Sequence, residues 1–275
     1  MKPIFDPLNP NVIIFDCLDS TSSEADRMIK SGYADHGLII WAREQQSGHG
    51  RYGRKWISRD GNLTFSVIIN NDSKVKNLAI YPFLTALAIK DALLELNKSL
   101  EINFKWPNDI LLHDKKIAGI LYESKISGDE VNFLVCGIGL NITSSPSEIN
   151  TASSLHEENI YNITADQIIF RIIQNMDKYF KLLEKNNAET KIYNLWLENA
   201  YKLGEELVVI SGNDKMKGKF ETIEDGNLIL LDHNERHVIS TGDVFFSDDD
   251  KIITAASNME FTNVTFLNIN KNKKK

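Results

Sequence analysis

Residues 48–69 read GHGRYGRKWISRDGNLTFSVII, and the fold turns on the element into which their glycines lead. Gly48, Gly50 and Gly53 have G-x-G-x-x-G spacing behind an apolar stretch, GLIIWARE (37–44). A dinucleotide-binding βαβ unit needs a helix at once, because the helix N-terminus receives the pyrophosphate. Here a polar loop leads instead into a β-branched and aromatic strand from Leu63 to Ile69. The loop also carries Arg51, Arg54 and Lys55, where the dinucleotide turn uses mainly backbone. The glycines thus open a cationic loop between two strands, and the nicotinamide reading fails.

Outward from this loop the chain is rich in strands. On the N-terminal side, Asn11–Cys17 is a first strand, and DSTSSEADRMIKSG a helix with Thr21 and Glu24 at capping-box spacing and Gly32 as its stop. On the C-terminal side, apolar periodicity gives a helix over Tyr81–Leu96, and EINFKW is a strand that must end at Pro107. ILLHDKKIAGILYES reads as a hairpin turning at His113–Lys115, and NFLVCGIGLNI as another strand. Thr164–Ala200 is helical, with Ile168, Ile169, Ile172, Met176, Phe180 and Leu183 on one stripe. From Leu203 short strands alternate with Gly, Asn and Asp turns, the cadence of a small β-barrel. The expectation is an α+β fold: a mixed β-sheet flanked by helices over 1–202, a small barrel over 203–250, and a tail over 251–275.

Composition narrows the function. Hydrophobic residues at 42% and charged residues at 25% are ordinary for a globular chain, and a core is available. A net charge of −7 disfavours sequence-independent nucleic-acid binding, which needs a positive face. The first residues lack the form of a signal peptide, and no uncharged run nears the ~20 residues of a membrane span. A cytoplasmic protein is expected. Cys17 and Cys136 lie in apolar runs and read as small buried residues in a reducing compartment, not as a disulfide or a nucleophile. His233 and His237 are four apart, but they flank a turn between strands, so surface histidines are the plainer reading than a zinc pair.

Four segments carry chemistry when taken together: Asp19-Ser20-Thr21; GHGRYGRKW (48–56); KWPND (105–109); and KIAGILYE (116–123) followed by GIGLN (137–141). The loop's glycines permit close backbone approach and its cations suit phosphates or a carboxylate; alone it is equally an exposed basic loop. KWPND combines a cation, an aromatic and a rigid turn, but Trp106 alone reads as a core anchor and Asn108-Asp109 as turn formers. Lys116 opens an apolar strand, where a lone lysine is usually solvated.

In this order the segments resemble the biotin–protein ligase family: a DST-type turn, a GRGRxGRKW-like loop, KWPND, a KxxGIL strand and a closing GxGxN, spanning residues 12–142. The resemblance implies a catalytic domain like that of class II aminoacyl-tRNA synthetases and biotin ligases, followed by an SH3-like barrel. It implies ATP and biotin as substrates with Mg²⁺, activation of biotin to biotinyl-5′-AMP, and transfer to a lysine of a biotin carboxyl carrier protein. On the biotin side it points to Ser20, Thr21, Ser22, Gln45, Gly48, His49, Gly50, Arg51, Lys116 and Gly119. On the nucleotide side it points to Arg54, Trp56, Asn108, Asp109 and Asn141, and it gives Arg51 and Lys116 the catalytic charge neutralisation. His49 stands where the family usually has arginine, and Tyr52 at a position that is often basic. The strand beginning at Asn11 leaves no room for the DNA-binding module of bifunctional relatives, so a monofunctional ligase without DNA or membrane partners is expected, with a homodimer left open. The alternative is a lipoate/octanoate–protein ligase.

Overall fold

The computed structural model describes residues 11–70, 77–127, 130–212 and 214–246; the tail over 251–275 lies outside them. The described residues divide into two compact units, one ending at residue 201 and including 223–226, the other taking 202–222 and the residues from 227 onward.

The first unit is built on a seven-stranded sheet. Its strands are β1 (Val12–Leu18), β2 (Ile39–Gln45), β3 (Leu63–Asn70), β4 (Ile102–Lys105), β5 (Asp109–Leu112), β6 (Lys115–Ser127) and β7 (Glu130–Leu140), in the order β1-β2-β3-β7-β6-β5-β4. Only β1 and β2 pair in parallel; every other pair is antiparallel, so the sheet is mixed as expected. β4 ends at Lys105, before Trp106-Pro107, because proline has no N–H for the ladder. His113 and Asp114, both with positive φ, make the tight β5–β6 turn.

The two faces of the sheet differ. Helix α1 (Thr21–Ser31) covers one, with Ala25 packed among Ile40, Ile68 and Val135. Helix α2 (Tyr81–Leu96) is buried around most of its surface by Phe83, Leu84, Leu87, Ile89 and Leu93, and its polar edge, Asp91 and Glu95, pairs with Lys178 and Arg171. It meets the opposite face, where Thr85 and Tyr122 hydroxyls are 2.8 Å apart. Helix α3 (Ala165–Leu182) carries the apolar stripe Ile168, Ile169, Ile172, Met176 and Phe180, all buried, and packs on α2.

The structure corrects three readings. The expected helix over Thr164–Ala200 is two helices, α3 and α4 (Ala188–Leu197), interrupted by a turn with Asn187 at φ 59°. The N-cap of α1 is Ser20, one residue before Thr21, and no side chain caps it; Glu24 instead pairs with Arg27 at 2.6 Å. Cys17 is exposed, not buried, because β1 is an edge strand; Cys136 is buried in β7. Burial pushes the Cys136 thiol up to about 12, which leaves no thiolate for nucleophilic work.

The second unit is an antiparallel sheet of β8 (Glu206–Ser211), β9 (Asp214–Glu224), β10 (Asn227–Asp232), β11 (Glu235–Ile239) and β12 (Asp243–Phe246), in the order β11-β10-β9-β8-β12. β11 and β12 are its ends, and the closed barrel expected from the sequence is not shown. His233 sits in the β10–β11 turn at φ 46° and His237 pairs with Leu230, so the two flank a hairpin. Among the described residues no cluster of three or more metal-ligating side chains occurs, and no helix is long and apolar enough to cross a membrane.

Candidate active site

The site grows from the face of β6 and β7 that α1 covers. In the antiparallel register Gly119 lies opposite Gly139, Leu121 opposite Gly137, and Glu123 opposite Val135. Val135 touches the α1 cluster, so all six share that face. Three of them are glycines, so the sheet is stripped of side chains along this stretch. Trp56 takes part of this space: a Cβ on Gly139 would overlap its indole ring, and one on Gly119 would stand 3.3 Å from it.

Lys116 stands beside that indole. Its ammonium is 5.6 Å from the Trp56 ring centroid and 2.6 Å from Asp109 Oδ1, the closing residue of KWPND. A register shift between Ile110 and Leu111 makes this pairing, because it sets Lys116 against Leu111 and Asp109 against Gly119. Asn108 is tied to the same strand: its amide donates to the Ile120 carbonyl at 2.7 Å, and the Ile120 N–H donates back to the Asn108 carbonyl at 3.0 Å. Asn141 is buried and its amide donates to the Ser153 carbonyl at 3.0 Å. The Ser153 N–H donates to the Lys116 carbonyl at 2.9 Å and the Lys116 N–H to the Thr151 carbonyl at 2.8 Å, so the Lys116 backbone is fixed at both its polar groups.

At the other end of the glycine face lies a cluster of hydroxyls. Ser66 on β3 donates to Thr21 Oγ1 at 2.8 Å and lies 3.2 Å from Ser22 Oγ, all three being buried. Ser22 Oγ is also where a Cβ on Gly137 would first press, at 3.0 Å. Gln45 Oε1 accepts from the Thr21 N–H at 2.8 Å, and a Cβ on Gly48 would meet the Gln45 amide at 2.7 Å. Ser20 occupies the N-cap position of this helix, and Asp19 before it is gripped by Arg27 through two hydrogen bonds of 2.8 and 2.7 Å. Those bonds, with the Ser20 N–H, hold the Asp19 carboxyl down at about 2.

The glycine loop joins the two ends as a narrow hairpin. The Trp56 N–H donates to Gly48 at 2.8 Å, the Gly50 N–H to Arg54 at 2.7 Å, and His49 bridges Lys55. Its root is tied to the DST turn by the Ser47 N–H to the Asp19 carbonyl, 2.8 Å. At its exposed tip Arg51 and Arg54 lie over the Tyr52 ring, at 4.8 and 5.6 Å from its centroid. The structure thus brings Lys116, Asp109, Asn108, Gly119, Trp56 and Asn141 to one end, and Ser20, Thr21, Ser22, Gln45 and Gly48 to the other. Arg51 and Arg54 are gathered on Tyr52, while His49 reaches towards Glu123. Sequence reasoning missed Ser66, a single hydroxyl in an apolar strand with nothing local to mark it. It also missed any role for Glu123, the last residue of KIAGILYE.

The chain belongs to the biotin/lipoate A/B protein ligase family, whose model matches residues 14–141. Among its relatives is the biotin–[acetyl-CoA-carboxylase] ligase of Paracoccus denitrificans, 32% identical over 236 residues, covering 83% of this chain and 97% of that protein. The bifunctional ligase/repressor BirA of Bacillus subtilis is 29% identical, over 83% of this chain and 71% of that one. The biotin protein ligase from Aquifex aeolicus, solved in complex with biotin and ATP, superimposes with a TM-score of 0.74 at 28% identity, over 86% of this chain and 97% of that chain.

Proposed function

We infer that this chain is an ATP-dependent biotin–protein ligase: it activates biotin to biotinyl-5′-AMP and passes the biotin to a lysine of a biotin carboxyl carrier protein. One observation carries the reading. Motifs far apart in the sequence converge on a single glycine-lined sheet face, with a cation and an aromatic ring at one end and a hydroxyl cluster at the other.

The polar pocket of Ser20, Thr21, Ser22 and Gln45, with Gly48 and Gly50 leaving room for the loop backbone, suits the ureido ring of biotin. The glycine face takes its flat body, with Gly119 lining the far side. Trp56, Asn108, Asp109, Asn141 and Arg54 serve the nucleotide. A carboxylate oxygen of biotin attacks the α-phosphorus of ATP, and the bond to pyrophosphate breaks. Lys116 neutralises the charge that builds on the α-phosphoryl oxygens, and Arg51 adds to it as the loop closes. Covered by the loop, the mixed anhydride is shielded from water. The acceptor lysine's amine then attacks its acyl carbon, and AMP leaves. Mg²⁺ fits this set, because it usually takes one or two carboxylates plus substrate phosphates, and Asp109 is a carboxylate at the Lys116 end. When bound, the ion supplies neutralisation of phosphate charge.

The division into a catalytic domain over 1–202, a C-terminal module over 203–250 and a tail is part of the same proposal. So is closure of the second sheet between β11 and β12 into an SH3-like barrel, and the likeness of the first domain to class II synthetases. The five short antiparallel strands support the barrel. A cytoplasmic location and the lack of a DNA partner belong to the same proposal; the net charge of −7 disfavours sequence-independent nucleic-acid binding. Mass spectrometry of the adenylates formed from an equimolar mixture of biotin, lipoate and octanoate tests the assignment: biotinyl-AMP is expected, and a lipoyl or octanoyl adenylate in its place would move the chain to the other branch.

A further inference from the structure

Glu123 has no part in the chemistry proposed for the site, yet it stands on the site's own face of β6, two residues beyond Leu121 and opposite Val135. Its Oε2 is enclosed and has no hydrogen-bond partner among the described residues. An enclosed carboxylate oxygen costs free energy unless a cation compensates it. Lys125 Nζ lies 3.8 Å from the other oxygen, Oε1, but the same ammonium is 3.5 Å from Asp26 Oδ1 on α1. His49 comes within ion-pair distance of the enclosed oxygen, with its Nε2 3.7 Å away. That gap is too long for a hydrogen bond, and short enough for an ion pair once the imidazole is charged.

His49 belongs to the stem of the glycine hairpin, where it bridges Lys55. The hairpin already has one anchor, Trp56 lying on Gly119 and Gly139. His49 against Glu123 supplies another, on the same strand β6 and on the side nearer α1. We infer that Glu123 is a positioning residue for the glycine loop, acting through His49, whose charged imidazole docks on the enclosed oxygen and holds the loop to β6.

The charged groups around the pair come from three elements. Lys125 shares β6 with Glu123; Asp26 on α1 is itself paired to Lys30 at 2.6 Å; Lys55 lies across the hairpin from His49. Lys55 and Lys125 oppose a charge on the imidazole, while Glu123 and Asp26 favour it. The attraction exists only while the imidazole carries its second proton, so the anchor weakens with loss of that proton as pH rises. A guanidinium at the same position stays charged throughout. If the chain is the ligase proposed above, the consequence is slower escape of biotinyl-AMP at lower pH.

Amide hydrogen exchange over residues 47–56 of the ligand-free full chain tests the anchor without any substrate. It is read at about pH 6 and about pH 8, on either side of the imidazole range, and corrected for intrinsic exchange. Wild type should exchange several-fold faster at the higher pH, Glu123→Gln fast at both, and His49→Arg slow at both. Equal protection of wild type at the two pH values, with His49→Arg no slower, overturns the proposal even if Glu123→Gln does not fold. Release of preformed biotinyl-AMP should follow the same order among the three proteins. A wild type that forms no biotinyl-AMP contradicts the ligase reading alone, since the exchange result stands by itself. Normal formation with release that is independent of pH and of Glu123 contradicts the positioning role.

Discussion

Lys116 reaches two things, the Asp109 carboxylate at 2.6 Å and the Trp56 ring at 5.6 Å, and both come from other motifs. Its ammonium is therefore oriented before any anion arrives, which is how a fixed charge lowers a barrier without reorganisation. Lys116→Ala should reduce adenylate formation by ~10²–10³-fold while the fold survives, as read by pyrophosphate exchange and thermal unfolding. A loss below about threefold would leave Lys116 a half-exposed strand-end residue, far short of what such a contact supplies. The indole makes a companion case. Gly139→Ala should push Trp56 off the sheet, because the new methyl overlaps its ring. A misplacement of about 1 Å costs up to ~10²-fold. The loss should appear in KM for ATP more than in KM for biotin, and equal effects on both would contradict a nucleotide-side Trp56. The sequence showed Lys116, Asp109 and Trp56 as motif members, but not their meeting, because that depends on a register shift at Ile110 that no spacing rule predicts. Ser66 was illegible for a different reason: only the fold brings it to the Thr21 and Ser22 hydroxyls.

Among the elements, α1 and the turn after β7 hold the two ends of the site. The entry to α1 depends on Asp19, whose carboxyl sits at about 2 because Arg27 and the Ser20 N–H bind its charged form. An aspartate ordinarily titrates near about 3.9. The folded value is the lower one, so this stabilisation is fully present above about pH 4 and is lost as pH falls towards 2. Urea midpoints of wild type should thus fall more steeply below about pH 4 than those of Asp19→Asn, and parallel curves would refute the linkage. At the other end, Asn62 is buried and its Oδ1 accepts from the N–H groups of Ile142 and Thr143 at 2.9 Å and of Ser144 at 3.3 Å, while its amide donates to the Ser144 carbonyl at 2.9 Å. These bonds fix the chain just after Asn141. Asn62→Ala strands several backbone groups, each worth ~1–3 kcal/mol when left unsatisfied, so a loss of at least about 2 kcal/mol in unfolding free energy is expected. A change under about 0.5 kcal/mol would show that water replaces the side chain there. Strand and helix identities were legible from periodicity, since burial on one or both faces writes it into the sequence. The cap at Ser20 and the break after α3 were not. Ser20, Thr21 and Ser22 are all competent caps, and the apolar stripe reaches the end of α3 before a turn that needs φ above zero at Asn187.

Over the whole molecule, the mixed sheet explains why the motifs appear in this order and at these distances. Placing β7 between β3 and β6 lets GIGLN and KIAGILYE lie side by side, while the loop between β2 and β3 folds over them. Fold class and motif membership were legible because they rest on local patterns. Closure of the second sheet was not, because strand cadence alone does not say whether the end strands β11 and β12 pair. The face built this way carries buried hydroxyls at one end and a cation beside an aromatic ring at the other. The central claim is therefore a two-step transfer by one chain. The most direct measurement incubates the full chain with biotin, ATP labelled at the α-phosphate and a biotin carboxyl carrier domain, following label and acceptor together. Labelled biotinyl-AMP is predicted on the enzyme, then its conversion to labelled AMP as one acceptor lysine gains biotin. Absence of the adenylate, or an adenylate that forms while the carrier lysine stays unmodified, would contradict the two-step transfer.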